Sequence, residues 1–143
     1  MRKVLLLGAV ALLATMGTVR ADLPNPIEIR QTGLDLMSGD FAGIRAVVAA
    51  KGDVKTLEAP AKAMARWAAL MPGLFPKGSD AGTKAKAEIW TDMDGFQKAA
   101  AALGAASTKL AELAKAGDAE GVEAQIKLVG GACAACHNNY RAK

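Results

Sequence analysis

Cys133, Cys136 and His137 stand in a Cys-Ala-Ala-Cys-His run near the end of a 143-residue chain, and they comprise both cysteines and the only histidine it has. Two thiols and an imidazole at this range suit three chemistries: a redox dithiol, a zinc site, or covalent attachment of haem. Zinc needs four ligands, and the sequence holds no further Cys or His. A redox dithiol opens a helix behind a strand, yet no alternating β-branched stretch precedes Cys133, and the adjoining histidine would have no task. Covalent haem uses all three residues. On a helix, residues three and four apart leave the same face. Both thiols can then add to the two vinyl groups along one edge of the ring while His137 turns its imidazole under the iron. The spacing therefore predicts one haem c, joined through Cys133 and Cys136 and ligated axially by His137. Thioether bonds do not dissociate, so a small chain keeps a cofactor it cannot fully wrap. A haem-free thiol oxidoreductase or helical interaction module is the competing class, and the mass of the protein separates the two.

The elements that must position this motif begin after an export segment. Arg2 and Lys3 precede an apolar stretch from Val4 to Ala14, and Val19-Arg20-Ala21 offers a small-residue cleavage site before Asp22. The apolar stretch is well short of the roughly twenty residues that span a bilayer, so residues 1–21 read as a cleaved signal peptide, not a membrane anchor. Neither a twin arginine nor a cysteine at the cut points to folded export or lipidation. The expected compartment is the periplasm. Of the 18 Lys and Arg residues, Arg2, Lys3 and Arg20 leave with that segment, so 15 face 14 acidic residues, a balance of +1. Such a chain has no charge-based affinity for nucleic acid or an anionic membrane. Residues 22–143 fit one domain able to bury about two thirds of its unfolded surface.

That domain reads as all-α. Asn25, Pro26 and Glu28 supply a cap, a proline at the first helical position and a first-turn acid. Ile27, Leu34, Phe41 and Val48 then fall on one row of a heptad, with Met37 and Ile44 on the next and Arg30 in the same seam. This helix should stop near Lys51-Gly52. Asp53 caps a second, whose start Pro60 delays or kinks, and which buries Ala63, Met64, Trp67, Ala68, Leu70 and Met71 before Pro72-Gly73. Residues 72–86 form the long loop, where Lys77, Lys84 and Lys86 make either an ordinary solvated face or a docking patch for redox partner proteins. A third helix is expected over Ala87–Ala116, on the row of Ile89, Met93, Phe96, Leu103, Leu110 and Leu113. Gly117 closes it, and Asp118 caps a fourth that turns Val122, Ile126, Val129, Cys133, Cys136 and Tyr140 inward. Four amphipathic helices joined by short connections and one longer loop predict an antiparallel four-helix bundle, with covalently bound haem filling an otherwise thin core of Ala and Gly. Gly130 and Gly131 suit either a close approach of cofactor or neighbouring helix, or simple flexibility.

With its haem motif at the C-terminal rather than the N-terminal end of such a bundle, the chain resembles the cytochrome c prime family. The matching stretches are Arg30–Met37, Glu88–Trp90, Gly117-Asp118, and Val129 to the end. The resemblance implies that Arg30 pairs with a haem propionate, which would account for a charge in an apolar seam. Leu34, one turn on, would cover the open face of the iron, and Arg141 would lie beside the proximal face. Because leucine cannot ligate, the implied haem is high-spin and five-coordinate, binding the small neutral gases nitric oxide and carbon monoxide and transferring electrons. No hydrogen-bond donor is evident near Leu34 in the first helix, so bound dioxygen would lack polar support that nitric oxide does not need. Low-spin relatives carry methionine at the position of Leu34; the alternative reading is such an electron carrier, with Met37 reaching the iron, against an ordinary core role for its thioether. Trp67 and Trp90 read as packing residues. No second acid or base set accompanies His137, so the chain is not expected to be an enzyme. The family's habit of pairing through its first helix, together with Ala42, Ile44, Ala46, Val47, Val48, Ala49 and Ala50, suggests a homodimer on that helix.

Overall fold

The computed structural model describes residues 25–143, so the expected signal peptide and its cleavage point lie outside the described residues. Helix α1 (Pro26–Ala49) starts as the sequence indicates: the Asn25 side chain accepts from the Ile27 N–H at 3.0 Å, and Pro26 occupies the first turn. It ends where Lys51 adopts a positive φ of 51° and the Gly52 N–H reaches back to the Val47 carbonyl at 2.9 Å. Asp53 then caps a 3-10 turn, Val54–Leu57, that leads into α2 (Glu58–Leu70). Pro60 thus sits in the first turn of α2, where its missing N–H has no partner to lose, and the helix is delayed rather than kinked. A second 3-10 turn, Met71–Leu74, carries Pro72 and Gly73 and ends the element.

The expected single helix over Ala87–Ala116 is in fact two. A short α3 (Glu88–Thr91) is separated from α4 (Met93–Ala116) by Asp92, whose φ of −132° and ψ of 56° leave the helical region. The cause is local: the Asp92 carboxylate accepts from the Gly95 N–H at 3.1 Å, so it caps a new helix instead of continuing the old one. Gly117, at φ 75°, closes α4 in the left-handed conformation, and Asp118 caps α5 (Ala119–Tyr140) through the Gly121 N–H at 2.9 Å.

Helices α1, α2, α4 and α5 form a four-helix bundle, with α4 packed against both α2 and α5, and α1 against α2 and α5. One half of the core gathers Ile44, Leu57, Met64, Leu103, Leu110, Val122 and Val129; the other gathers Met71, Phe75, Ile89, Phe96 and Tyr140. Small residues let α2 and α4 approach: a Cβ at Gly104 would meet that of Ala68 at 3.7 Å. Leu70 is a correction. Expected on the buried side of α2, it is 65% exposed, because the chain tightens into the 3-10 turn there and Met71 takes the inward place. No neighbouring helix is forced close at Gly130 or Gly131: a Cβ at the first would meet the Phe41 ring at an ordinary 3.6 Å, and at the second no protein atom within 4 Å. Among the described residues no helix is long and apolar enough to cross a membrane.

Candidate functional site

The motif occupies the last turns of α5, where period-3.6 geometry puts Cys133, Cys136 and His137 on one wall of a cavity of about 690 Å³. Helix α1 contributes Arg30, Leu34, Met37 and Phe41 to the same lining, and Met64, Met71, Phe75, Ile89, Phe96 and Leu103 complete it. Cys133 packs with the core half that includes Met37 and Phe41, and Cys136 with the half that includes Leu34, so the two thiols straddle the junction of the halves. The volume lies within the range of about 300–1,000 Å³ usual for small-molecule and cofactor sites.

Electrostatics narrow the chemistry. Neither cysteine is in a disulfide, and burial pushes both thiols up; Cys133 adds to the shift at Cys136. A redox dithiol needs the reverse, a thiol held low enough to be a thiolate at neutral pH. At His137 burial, followed by the positive charge of Arg141, lowers the imidazole from its ordinary value. A neutral ring with a free nitrogen lone pair is the form that binds iron. Arg30 is 2% exposed, and among the described residues no carboxylate makes an ion pair with it. Burial works against its charge and the nearby Asp80 supports it only through space. An apolar cavity lined by two unpaired thiols, an imidazole and a buried guanidinium that has no ion-pair partner among the described residues fits a flat apolar macrocycle that carries carboxylates.

Arg30 also does something the sequence did not disclose. Its Nη1 donates to the Leu74 carbonyl at 3.1 Å and the Ser79 hydroxyl at 2.6 Å; its Nη2 donates to the Ser79 carbonyl and, at 3.5 Å, to the Thr83 hydroxyl. The guanidinium also lies 4.4 Å from the centre of the Phe75 ring. The loop is thereby wrapped around a residue of α1. At its far end an antiparallel bridge joins Ala85 to Arg141: the Lys86 N–H donates to the Tyr140 carbonyl at 3.0 Å and the Ala142 N–H to the Lys84 carbonyl at 2.8 Å. Arg141 and Lys84 are thus brought together on the cavity lining. Lys86 pairs with Glu88 at 3.7 Å, and Lys77 is exposed away from that lining.

Leu34 and Met37 both line the cavity, as do Met64 and Met71, which the sequence assigned only to the core of α2. Gln31 lines it too, so α1 does present one hydrogen-bond donor near Leu34, contrary to expectation; the Ser38 hydroxyl is committed to the Leu34 carbonyl at 2.9 Å. Trp90 donates to the Phe75 and Pro76 carbonyls at 3.0 and 3.1 Å and so fastens the loop, while Trp67 packs against Gly33.

Comparisons with known proteins bear on the same residues. Residues 25–141 match the family described as cytochrome C'. A cytochrome c' of Rhodospirillum rubrum is 32% identical over 146 residues, covering 99% of each chain. A solved cytochrome c' with an unusual ligand-controlled dimer dissociation superposes with a TM-score of 0.78 at 34% identity, covering 86% of this chain and 100% of that one. A nitric oxide complex of a cytochrome c prime variant from Alcaligenes xylosoxidans superposes with a TM-score of 0.75 at 30% identity, covering 85% of this chain and 99% of that one.

Proposed function

The chain belongs to the cytochrome c' family, and from that premise we propose that it is a periplasmic haem protein that binds nitric oxide and carbon monoxide at a five-coordinate iron. Haem, when bound, would supply an iron able to take a small neutral diatomic gas. Cys133 and Cys136 would hold it as thioethers, and His137 would give the single protein ligand. The observation that carries the reading is Leu34, a side chain without a donor atom, which lines from α1 the same cavity that His137 lines from α5. It screens the open face from water and admits a small neutral molecule by moving aside. Gln31, on the same helix, is exposed at the rim.

Arg30 would pair with a propionate, the anion that its loop partners do not supply. Arg141 stands by the proximal imidazole, where its charge favours the neutral ring that ligates. Redox partner proteins approach on the side of Lys84 and Arg141, the exposed cations of the cavity lining. Residues 1–21 direct export and are removed, leaving residues 22–143 as the mature domain, a binder and carrier of electrons with no substrate turnover.

The outer face of α1 supports a homodimer through that helix. Ile44 turns into the core, whereas Thr32, Leu36, Gly39, Gly43, Ala46 and Ala50 are exposed and recur at alternating intervals of four and three. Leu36 is 67% exposed among residues small enough for a second copy of α1 to approach closely. The test of the function is an absorption spectrum of the ferrous protein before and after nitric oxide is added. A high-spin spectrum that changes on addition is expected; a low-spin, six-coordinate spectrum that ignores the gas contradicts the proposal.

A further inference from the structure

Tyr140 lies three residues beyond His137 on the same face of α5 and is not one of the proposed haem ligands. Its ring packs edge-on against Phe96 with centres 5.2 Å apart, and its carbonyl accepts from the Lys86 N–H at 3.0 Å. Its hydroxyl donates to Asp92 Oδ2 at 2.8 Å, in the break between α3 and α4. Neither residue needs that bond for its evident role. A phenylalanine would fill the same place against Phe96, and Asp92 caps α4 through its other oxygen, Oδ1. Gly95 makes the pair possible, since a Cβ there would run into both the Asp92 carboxylate and the Tyr140 hydroxyl.

The structure assigns to Asp92, Gly95 and Tyr140 the role of a positioning device. It ties the last turn of α5 to the N-terminus of α4, and so sets the direction in which His137 presents its imidazole to the cavity. The role of His137 as ligand is that of the proposed function, and the device rests on it. A hydrogen bond to a charged acceptor, made where the protein partly excludes water, is about twice as strong as one between neutral groups, and it holds one geometry rather than several. Outside its own helix the last turn is otherwise held by the packing of the Tyr140 ring on Phe96 and by the two-residue bridge to the loop.

The experiment uses the haem-loaded full chain with Tyr140→Phe and, separately, Gly95→Ala. Amide hydrogen exchange at Lys86, Arg141 and Ala142 should quicken roughly ten- to hundred-fold, the cost of one charge-assisted hydrogen bond, while amides in the middle of α4 keep their rates. In resonance Raman spectra of the ferrous protein, the iron–histidine stretching band should shift or broaden in both variants. A purely structural contribution would raise exchange across the whole bundle and leave the band where it was. That result, or unchanged exchange at the three amides, overturns the assignment. If the unsubstituted protein shows no iron–histidine band, it is the ligand role of His137 that fails, and the exchange rates alone decide whether the cluster fixes the turn.

Discussion

Gly33→Ala and Gly131→Ala are the same substitution in two helices of this bundle, and the structure gives them different outcomes. Both glycines sit inside helices, α1 and α5, where alanine is favoured over glycine by about 1 kcal/mol. At Gly131 a Cβ meets nothing within 4 Å, so that gain should appear undiminished. At Gly33 the new Cβ would land on the six-membered ring of Trp67, a rigid group already packed against the core. Forcing an extra carbon into such a contact costs about 1–3 kcal/mol. Helix propensity cancels between the two variants, so their stabilities should differ by about 1–3 kcal/mol, the overpacking cost alone. Guanidinium unfolding of the haem-loaded protein measures this as a rise in midpoint for Gly131→Ala and a fall, or no rise, for Gly33→Ala at equal slope. If Gly33→Ala raised the midpoint as much as Gly131→Ala, the reasoning from Trp67 would be refuted.

Arg30→Met should keep the stem volume but leave the Leu74 and Ser79 carbonyls without donors, lowering stability by about 2–4 kcal/mol. It should also speed tryptic cleavage after Lys77 and Lys84, and a cleavage rate equal to the parent's would show that the guanidinium does not hold the loop. Replacing Met37, Met64 or Met71 singly by leucine should leave the ferric and ferrous spectra as they are, since all three line the cavity only as packing; a low-to-high-spin change in any one would identify it as a ligand. Leu36→Lys should convert a dimer to a monomer in sedimentation by burying a charge at the seam, whereas a parent protein that already sediments as a monomer removes the α1 interface.

The four bundle helices were legible because their caps are spelled in local chemistry. Asn25, Asp53, Gly117 and Asp118 all stand at element ends where the sequence places them. Asp92 was the exception: an apolar row runs through it at helical spacing, and only Gly95, which leaves room for the carboxylate, and the distant Tyr140 reveal a cap there. The haem motif was readable for the opposite reason, that its residues are adjacent in the chain and rare in it. What could not be read were contacts between residues far apart: the loop wrapped on Arg30, the bridge from Ala85 to Arg141, and the presence of Gln31, Met64 and Met71 on the cavity wall. Each depends on how helices cross, which periodicity does not specify. Leu70 shows the same limit at close range, since a tightening of the helix by one turn was enough to turn it outward.

Covalent attachment of haem is decided by the intact mass of the protein, exported by a host able to attach haem to cysteine and then denatured. The expected mass is that of residues 22–143 plus one haem, retained after denaturation and absent from a Cys133→Ala/Cys136→Ala double variant. A colourless product with the mass of the bare polypeptide and two free thiols would contradict it.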